Sequence, residues 1–157
     1  MNLTNLYQAG AVKRWHTKLT IKEQDVAAHS WGVAMVCMKI APQDHELMRA
    51  ALLHDMAEVE SGDIPYPFKK KWPTIKEELD VHEVQFNAEN GATCFLNARQ
   101  THMLKWADMF ELLLWCKREL KLGNEGMLVT IDVAFRALRD MGPPNEVAQQ
   151  LFEEVTK

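Results

Sequence analysis

The chain has 157 residues, a length that fits one compact domain better than two. Its composition is 47% hydrophobic and 25% charged, which excludes the class of disordered proteins with few apolar residues and high charge. The net charge is −4, and an acidic chain argues against a protein that coats the nucleic-acid backbone. We therefore expect a single folded domain over residues 1–157 that binds no polynucleotide.

The cysteines and the apolar runs indicate the cellular environment. The three cysteines, Cys37, Cys94 and Cys116, are far apart and form no Cys-x-x-Cys pair, so we expect reduced thiols rather than disulfides or a sulfur zinc site. No stretch approaches about 18 consecutive apolar residues, and residues 1–8 lack the basic start and apolar run of a signal peptide. These features predict a cytoplasmic protein without membrane association.

Apolar residues recur at helical spacing, and Gly, Pro, Asn and Thr residues divide the chain into about six or seven predicted helices. The first predicted helix ends near residues 14–16, and a connection follows over 17–24. The second covers about 25–41, and the third begins after residue 43 and continues to about 59. A Pro-rich loop occupies 62–67. No segment resembles a strand, so the predicted fold class is all-α.

The second half of the chain is divided into further helices, predicted from residue 74, over about 101–122, over 124–141 and over 145–157. Thr74 and Glu77 match the capping-box pattern, which predicts that a helix begins at Thr74. Gly91 is expected to break or kink that helix. Gly123 is expected to cap the next one.

Polar residues interrupt the apolar faces of three predicted helices. His29 lies in the apolar stripe of the second helix, His54 and Asp55 in that of the third, and Asp108 in that of the fifth. Burying an ionisable group without a partner costs several kcal/mol, so we expect these groups to meet and share a cation. Two histidines and two aspartates suit a divalent transition metal and leave coordination positions open for water and substrate. The pattern predicts a catalytic metal site.

Each residue taken singly has an ordinary structural interpretation. A lone histidine on an apolar face is more often a hydrogen-bonded core residue than a ligand, and an aspartate on a helix is usually solvated or capping. Trp15 on its own is a core aromatic, and Lys69, Lys70 and Lys71 are an ordinary solvated cluster. The metal interpretation depends on the set of four residues together.

The sequence around these residues is more specific. Residues 26–30, Val-Ala-Ala-His-Ser, and residues 54–65, His-Asp-Met-Ala-Glu-Val-Glu-Ser-Gly-Asp-Ile-Pro, resemble the bacterial YfbR-type 5'-deoxynucleotidases of the HD superfamily. Similar motifs occur in the compact HD dATP triphosphohydrolases of some bacteriophages. The resemblance covers about residues 12–120. It implies a single compact HD-domain helical bundle, located in the host cytoplasm if a phage encodes the chain.

The resemblance implies that Glu58 and Asp63 are the catalytic residues that activate water and handle protons. The spacing independently supports this role, because Glu58 is one helical turn beyond His54 and Asp63 follows a glycine that permits a sharp turn. The ordinary alternative is a pair of solvated carboxylates at a helix end.

The resemblance also implies a set of substrate-binding residues. Arg14 would contact phosphate, and Trp15 would pack against the sugar and favour 2'-deoxy substrates. Lys69 and Lys76 match family lysines near the phosphates, and Ser30 joins the substrate-binding set beside the metal. Lys70 and Lys71 are additional to the pattern.

The expected function is metal-dependent hydrolysis of 2'-deoxynucleoside 5'-phosphates. The short chain and the added lysines favour a dATP or dNTP triphosphohydrolase that releases deoxynucleoside and triphosphate, and a 5'-deoxynucleotidase acting on dNMPs is the alternative. A catalytically silent nucleotide-binding regulatory module is the alternative of another class. The expected cofactor is one divalent ion (Co, Mn, Zn, Mg or Fe), with a second ion that binds together with substrate, and the expected assembly is a homo-oligomer.

Overall fold

The computed structural model describes residues 3–156. The helices are α1 Leu3–Ala9, α2 Val26–Ile40, α3 His45–Leu53, α4 Glu58–Ser61, α5 Tyr66–Lys71, α6 Pro73–Asn90, α7 Ala98–Lys121, α8 Leu128–Met141 and α9 Glu146–Thr156, with a 3₁₀ turn at Glu125–Met127. Over these residues the only extended pairing is an isolated bridge between Lys13 and Asp25. The all-α prediction is confirmed.

The central element is α7, the 24-residue helix that packs against α2, α3 and α8. Trp106 and Leu113 of α7 are fully buried and meet Val33 and Cys37 of α2 in the main core. This packing brings the buried face of α2 against the buried face of α7. The residues predicted as metal ligands on these two helices therefore lie on facing surfaces.

Side-chain caps fix where the two central helices begin. Asp25 accepts a hydrogen bond from the backbone N–H of Ala28 at 2.9 Å, so α2 begins where the sequence predicted. Asn97 and Gln100 form a reciprocal capping box at the start of α7. For this reason α7 begins at Ala98, three residues earlier than predicted.

Two predictions of helix boundaries were wrong. The first helix ends at Ala9 rather than near residues 14–16, and residues 10–25 form an irregular segment. The capping box predicted at Thr74 does not form, because α6 already begins at Pro73 and has no side-chain cap. Proline is well suited to the first turn of a helix, since it has no N–H that needs a partner there.

The structure contains more helices than predicted because the third predicted helix is divided. Helix α3 ends at Leu53, residues 54–57 form a turn, and the short helix α4 follows. A further short helix, α5, occupies part of the predicted Pro-rich loop and the lysines that follow it. At the end of α6, Gly91 adopts a left-handed conformation, which confirms the predicted break.

All three cysteines are free, as predicted, with Cys37 and Cys116 buried and Cys94 half-buried. Among the helices of residues 3–156, none has the length and apolar character needed to cross a bilayer.

The irregular segment 10–25 is anchored to α7 by the fully buried carboxylate of Glu119. It accepts hydrogen bonds from the backbone N–H groups of Ile21 at 2.7 Å and Lys22 at 2.8 Å, and from the Asn124 amide at 3.0 Å. Burial alone would raise the pKa of Glu119, but these hydrogen bonds outweigh burial and hold the pKa below its ordinary value.

We expect Glu119→Ala to lower the free energy of unfolding by about 1–3 kcal/mol, because it leaves buried N–H donors without acceptors. Because the folded pKa is depressed, this stabilisation is present above the ordinary pKa of about 4.3 and is lost as pH falls through the folded pKa. Urea unfolding at neutral and acidic pH measures the difference. The exposed Glu125→Ala is the matched control. Equal stability of Glu119→Ala and the parent at neutral pH would contradict the anchoring role.

Candidate metal centre and nucleotide site

The four predicted metal ligands come together from three parts of the chain. The ligand atoms of His29, His54 and Asp55 lie within 4.8 Å of one another. Asp55 Oδ2 is 3.5 Å from His29 Nε2 and 3.3 Å from His54 Nε2, and Asp108 Oδ1 is 3.1 Å from His29 Nε2. The two histidines and Asp55 form the tightest group, and Asp108 joins it through His29.

The imidazole nitrogens have the chemistry that a metal ion requires. Nδ1 of His54 lies 2.8 Å from the carbonyl of Ala51, an acceptor only, so this nitrogen carries the hydrogen and Nε2 keeps its lone pair. Nδ1 of His29 lies 2.5 Å from Glu111 Oε2. Among the described residues, the Nε2 atoms of both histidines are buried without a well-aligned hydrogen-bond partner. Such orphaned atoms are rare in folded proteins, and this donor set fits a divalent metal ion.

The charges at the centre are strongly coupled. Burial alone would lower the pKa of His29, but the carboxylates of Asp108 and Glu111 beside its ring outweigh burial and raise the pKa to about 9. Burial alone would raise the pKa of Asp108, but the neighbouring His29 outweighs it and lowers the pKa to about 2. A bound cation would compete with protons for these groups.

Arg14 lies against the same centre. Its side chain is largely buried, and its Nη1 donates a hydrogen bond to Asp55 Oδ2 at 2.9 Å. Burial alone would lower the pKa of this guanidinium, but the charges of Asp55, Asp63 and Asp108 raise it. Arg14 thus remains a cation beside the acidic cluster.

Glu58 begins α4, and its Oε2 is buried without a hydrogen-bond partner among the described residues. Burial raises the pKa of this carboxyl to about 8, the charges of Asp55 and Asp63 add to the increase, and Arg14 and Lys69 oppose it. A carboxyl with a pKa close to neutrality can exchange a proton readily at pH 7. This is the property expected of a proton-handling group.

Asp63 reaches this neighbourhood through Gly62. The glycine adopts φ +70°, a conformation that favours glycine because it has no Cβ, and it ends α4. The chain then turns so that the charge of Asp63 acts on both Arg14 and Glu58. The charges of both carboxylates predicted to be catalytic therefore act on Arg14.

A small open groove of about 70 Å³ lies beside the centre, and α6 forms its far side. Its lining includes His54, Asp55, Glu58, Lys69, His82 and Glu83. Lys69 is thus brought to the groove. Lys76 is exposed on α6 and paired with Asp80, outside the lining. Ser30 is buried beside His29 on α2, and its Oγ has no hydrogen-bond partner among the described residues.

Trp15 is held rigidly beside Arg14. Its ring stacks on Trp115 of α7 with centroids 4.7 Å apart and planes 10° apart, and its Nε1 donates a hydrogen bond to Gln24 Oε1 at 2.7 Å. Its φ of +62° is in the left-handed region, which costs a tryptophan about 1–3 kcal/mol and occurs mainly at functional sites. The surrounding contacts maintain this strained conformation.

The sequence analysis missed two residues of the site, Gln24 and Glu111. Both are buried, and Glu111 contacts His29 directly. A signal for Glu111 was present, because it is a charged residue within the apolar run 109–115 and lies one turn beyond Asp108. Gln24 gave no such signal, since it lies in the irregular segment.

Comparisons with known proteins agree with this geometry. A family model described as "5'-deoxynucleotidase YfbR-like" matches residues 3–93. A cyanophage S-2L dATP triphosphohydrolase is 34% identical over 131 residues, 74% of this chain and 72% of its own length. A 5'-deoxynucleotidase of Pasteurella multocida is 24% identical over 140 residues, 73% of this chain and 71% of its own length.

A solved structure of the cyanophage S-2L HD phosphohydrolase has a similar fold. That structure is described as bound to dA and one catalytic Zn²⁺ ion, and it matches with a TM-score of 0.71 at 26% identity. The match covers 99% of this chain and 95% of that one. It extends beyond the segment of the family model and includes the two C-terminal helices.

The raised pKa of Glu58 predicts a pH-dependent stability in the absence of metal. Because the folded state binds the proton more tightly than the unfolded state, the Glu58 contribution falls as pH rises from about 4.5 to about 8. Glu58→Gln cannot ionise, so we expect it to gain stability relative to the parent as pH rises from about 5 to about 8.5. Urea unfolding with a chelator present measures this difference. The exposed Glu78→Gln is the control, and parallel profiles for Glu58→Gln and the parent would contradict the prediction.

Proposed function

Because the chain belongs to the YfbR-like 5'-deoxynucleotidase family of HD-domain proteins, we propose that it is a metal-dependent phosphohydrolase of 2'-deoxynucleoside 5'-phosphates. The observation that carries the proposal is the pair of buried, unpartnered Nε2 atoms of His29 and His54 beside two aspartates. The neighbouring carboxyl of Glu58, with its raised pKa, supplies a group for proton transfer.

We propose a dNTP, with dATP first among them, as the substrate. Water would attack the α-phosphorus, the bond from phosphorus to the 5'-oxygen would break, and the products would be deoxynucleoside and triphosphate. Support comes from the similarity to the phage dATP triphosphohydrolase and from the adjacent lysines Lys69, Lys70 and Lys71 at the end of α5. A triphosphate carries more negative charge than a monophosphate, and these lysines can neutralise part of it.

The alternative substrate is a dNMP, which would give deoxynucleoside and phosphate. The similarity to the Pasteurella nucleotidase and the description of the matching family support it. A silent nucleotide-binding module is the remaining alternative. The buried carboxyl of Glu58 argues against a pure binder, because an unpartnered carboxyl destabilises the fold and binding alone does not require it.

His29, His54, Asp55 and Asp108 would hold the cation. When bound, a divalent ion polarises phosphate oxygens and makes water more acidic. The imidazole and carboxylate donors suit Zn, Co, Mn or Fe, and Mg is the less favoured choice because it prefers oxygen ligands. A second ion arriving with substrate stays an expectation.

The other residues would bind the substrate and transfer protons. Glu58 would accept a proton from the attacking water and Asp63 would orient that water, or a protonated Asp63 would donate its own proton to the leaving 5'-oxygen. Arg14 would exchange its contact with Asp55 for a phosphate oxygen, and Lys69 would bind phosphate from the groove. Trp15 would pack against C2' of the sugar and exclude a hydroxyl there.

Two further residues keep the substrate-binding role that the resemblance implies. Ser30 has a free hydroxyl beside His29, so it can orient a group at the centre. Lys76 would first have to leave Asp80.

We also expect a homo-oligomer in the cytoplasm, and the exposed Val81 and Val84 on α6 are consistent with an apolar contact between copies. Light scattering on the purified chain measures the assembly.

Product analysis tests the proposed function. Deoxy- and ribonucleoside mono-, di- and triphosphates are incubated with the chain and divalent metals, and released triphosphate or phosphate is identified. We expect triphosphate from dATP, and we expect Glu58→Ala to lower kcat by about 10²–10⁴ while leaving nucleotide binding near normal. The exposed Glu78→Ala is the control. Turnover of Glu58→Ala at the parental rate would assign proton transfer elsewhere, and no turnover of any nucleotide would favour the silent module.

Trp15→Ala tests the sugar pocket. We expect the ratio of kcat/KM for dATP over ATP to fall about tenfold or more, because the ring no longer rejects the 2'-hydroxyl by volume and by leaving it without a partner. Arg14→Ala is the matched comparison. Because Arg14 is proposed to contact phosphate, its loss should weaken the binding of dATP and ATP nearly equally. A ratio that is unchanged in Trp15→Ala, or that collapses only in Arg14→Ala, would return Trp15 to the role of a core aromatic.

A further inference from the structure

We propose that Glu111 is a positioning residue that fixes His29 for metal binding. It accepts a buried hydrogen bond from Gln24, which itself accepts one from the half-buried Trp15. These hydrogen bonds link Trp15, which is proposed to select the sugar, with His29, which is a proposed metal ligand. This inference rests on the metal centre of the proposed function and assigns a role to two residues that the resemblance does not include.

With Glu111 as a carboxylate, the series of hydrogen bonds from Trp15 to His29 has one direction. The indole Nε1 of Trp15 is a donor only, so the atom of Gln24 that faces it at 2.7 Å is the amide oxygen. The amide nitrogen of Gln24 then points to Glu111 Oε1 at 2.8 Å and donates to it. The other oxygen, Oε2, faces His29 Nδ1 at 2.5 Å. A carboxylate accepts both hydrogen bonds, so Nδ1 must carry hydrogen.

This direction decides which nitrogen of His29 is available. Since Nδ1 is held as a donor to Glu111, the coordinating nitrogen is Nε2, the atom nearest to Asp55 and Asp108. Histidines that bind metals usually donate their second N–H to a carboxylate or carbonyl, which orients the ring and makes it a stronger ligand. Glu111 occupies this position for His29, as the carbonyl of Ala51 does for His54.

Burial makes the arrangement rigid. His29 is fully buried, and Gln24 and Glu111 are 4% and 8% exposed. Little water can compete for these groups, so losing one hydrogen bond leaves a buried polar atom without a partner. The hydrogen bonds among Gln24, Glu111 and His29 therefore keep one arrangement.

Gly32 provides an independent sign that the fold accommodates Glu111. It lies on α2 one turn after His29, and a Cβ atom at this position would approach the Cγ of Glu111 to 2.7 Å and its Oε1 to 3.1 Å. Real Cβ atoms do not approach so closely, so any side chain at residue 32 displaces the glutamate. Glycine leaves the space that Glu111 needs to reach the ring.

Metal affinity of the full chain tests the inference. Zn²⁺ or Co²⁺ is titrated in competition with a chromophoric chelator, and the Co²⁺ absorption spectrum is recorded at saturation. We expect Glu111→Gln to weaken metal binding about 10–100-fold and to alter the Co²⁺ spectrum. A merely structural glutamate would lower Tm but leave the Kd of the folded protein and the spectrum unchanged. The exposed Glu125→Gln is the matched control.

Gly32→Ala keeps the Glu111 carboxylate but displaces it from its position. This variant therefore tests the same geometry if Glu111→Gln fails to fold, and we expect weaker metal binding again. Gln24→Leu keeps the contact between Glu111 and His29 but disconnects Trp15. We expect it to lower the dATP over ATP ratio toward that of Trp15→Ala, with a smaller change in metal Kd than Glu111→Gln gives.

The variant His54→Ala distinguishes a failure of the metal centre from a failure of the positioning role of Glu111. If His54→Ala loses the metal while Glu111→Gln and Gly32→Ala both bind it within about twofold of the parent, the positioning role is overturned and the proposed function stands. If His54→Ala binds metal as the parent does, the metal centre itself is wrong, and the role of Glu111 falls with it. An unchanged sugar ratio in Gln24→Leu overturns the link to Trp15 alone.

Discussion

The structure depends on one constraint, which is that ionisable groups buried between α2 and α7 must compensate one another. His29 is fully buried, with Glu111 on one side of its ring and Asp55 and Asp108 on the other. A single unpaired charge at this depth would cost several kcal/mol, so the cluster is stable only as a set. The set is also asymmetric, because the Glu111 side is closed and buried while the other side opens toward Asp55 and the groove. A cation entering from the groove would complete the compensation.

One face of α7 serves every part of this arrangement. Asp108, Glu111, Trp115 and Glu119 follow one another at intervals of three or four residues, so they lie along the same side of the helix. Asp108 is a candidate metal ligand, and Glu111 contacts His29 and is proposed to orient it. Trp115 stacks on Trp15, and Glu119 anchors the segment that carries Trp15 and Gln24. The irregular segment 10–25 is therefore positioned by a rigid helix, as precise ligand selection requires.

The sequence was sufficient for the fold class and for the convergence of four polar residues, because periodic apolar residues indicated which polar side chains face inward. It was insufficient for Gln24 and for the conformation of Trp15. Both lie in a segment without periodicity, and their positions depend on tertiary contacts with Glu111 and Trp115. The capping box expected at Thr74 failed for a related reason. A proline one residue earlier was a better first-turn residue than the local pattern indicated, so the helix began before its expected cap.

The most informative difference concerns the third predicted helix, because its interruption falls at the His-Asp pair. Adjacent residues on a helix point in directions about 100° apart, so His54 and Asp55 approach the centre from different directions. His54 itself keeps a right-handed helical backbone conformation at the start of the turn 54–57, and Asp55 Oδ2 lies 3.3 Å from His54 Nε2. The chain then re-enters a helix at Glu58, whose carboxyl begins α4 on the same side. The His-Asp pair thus lies between the end of α3 and the start of α4.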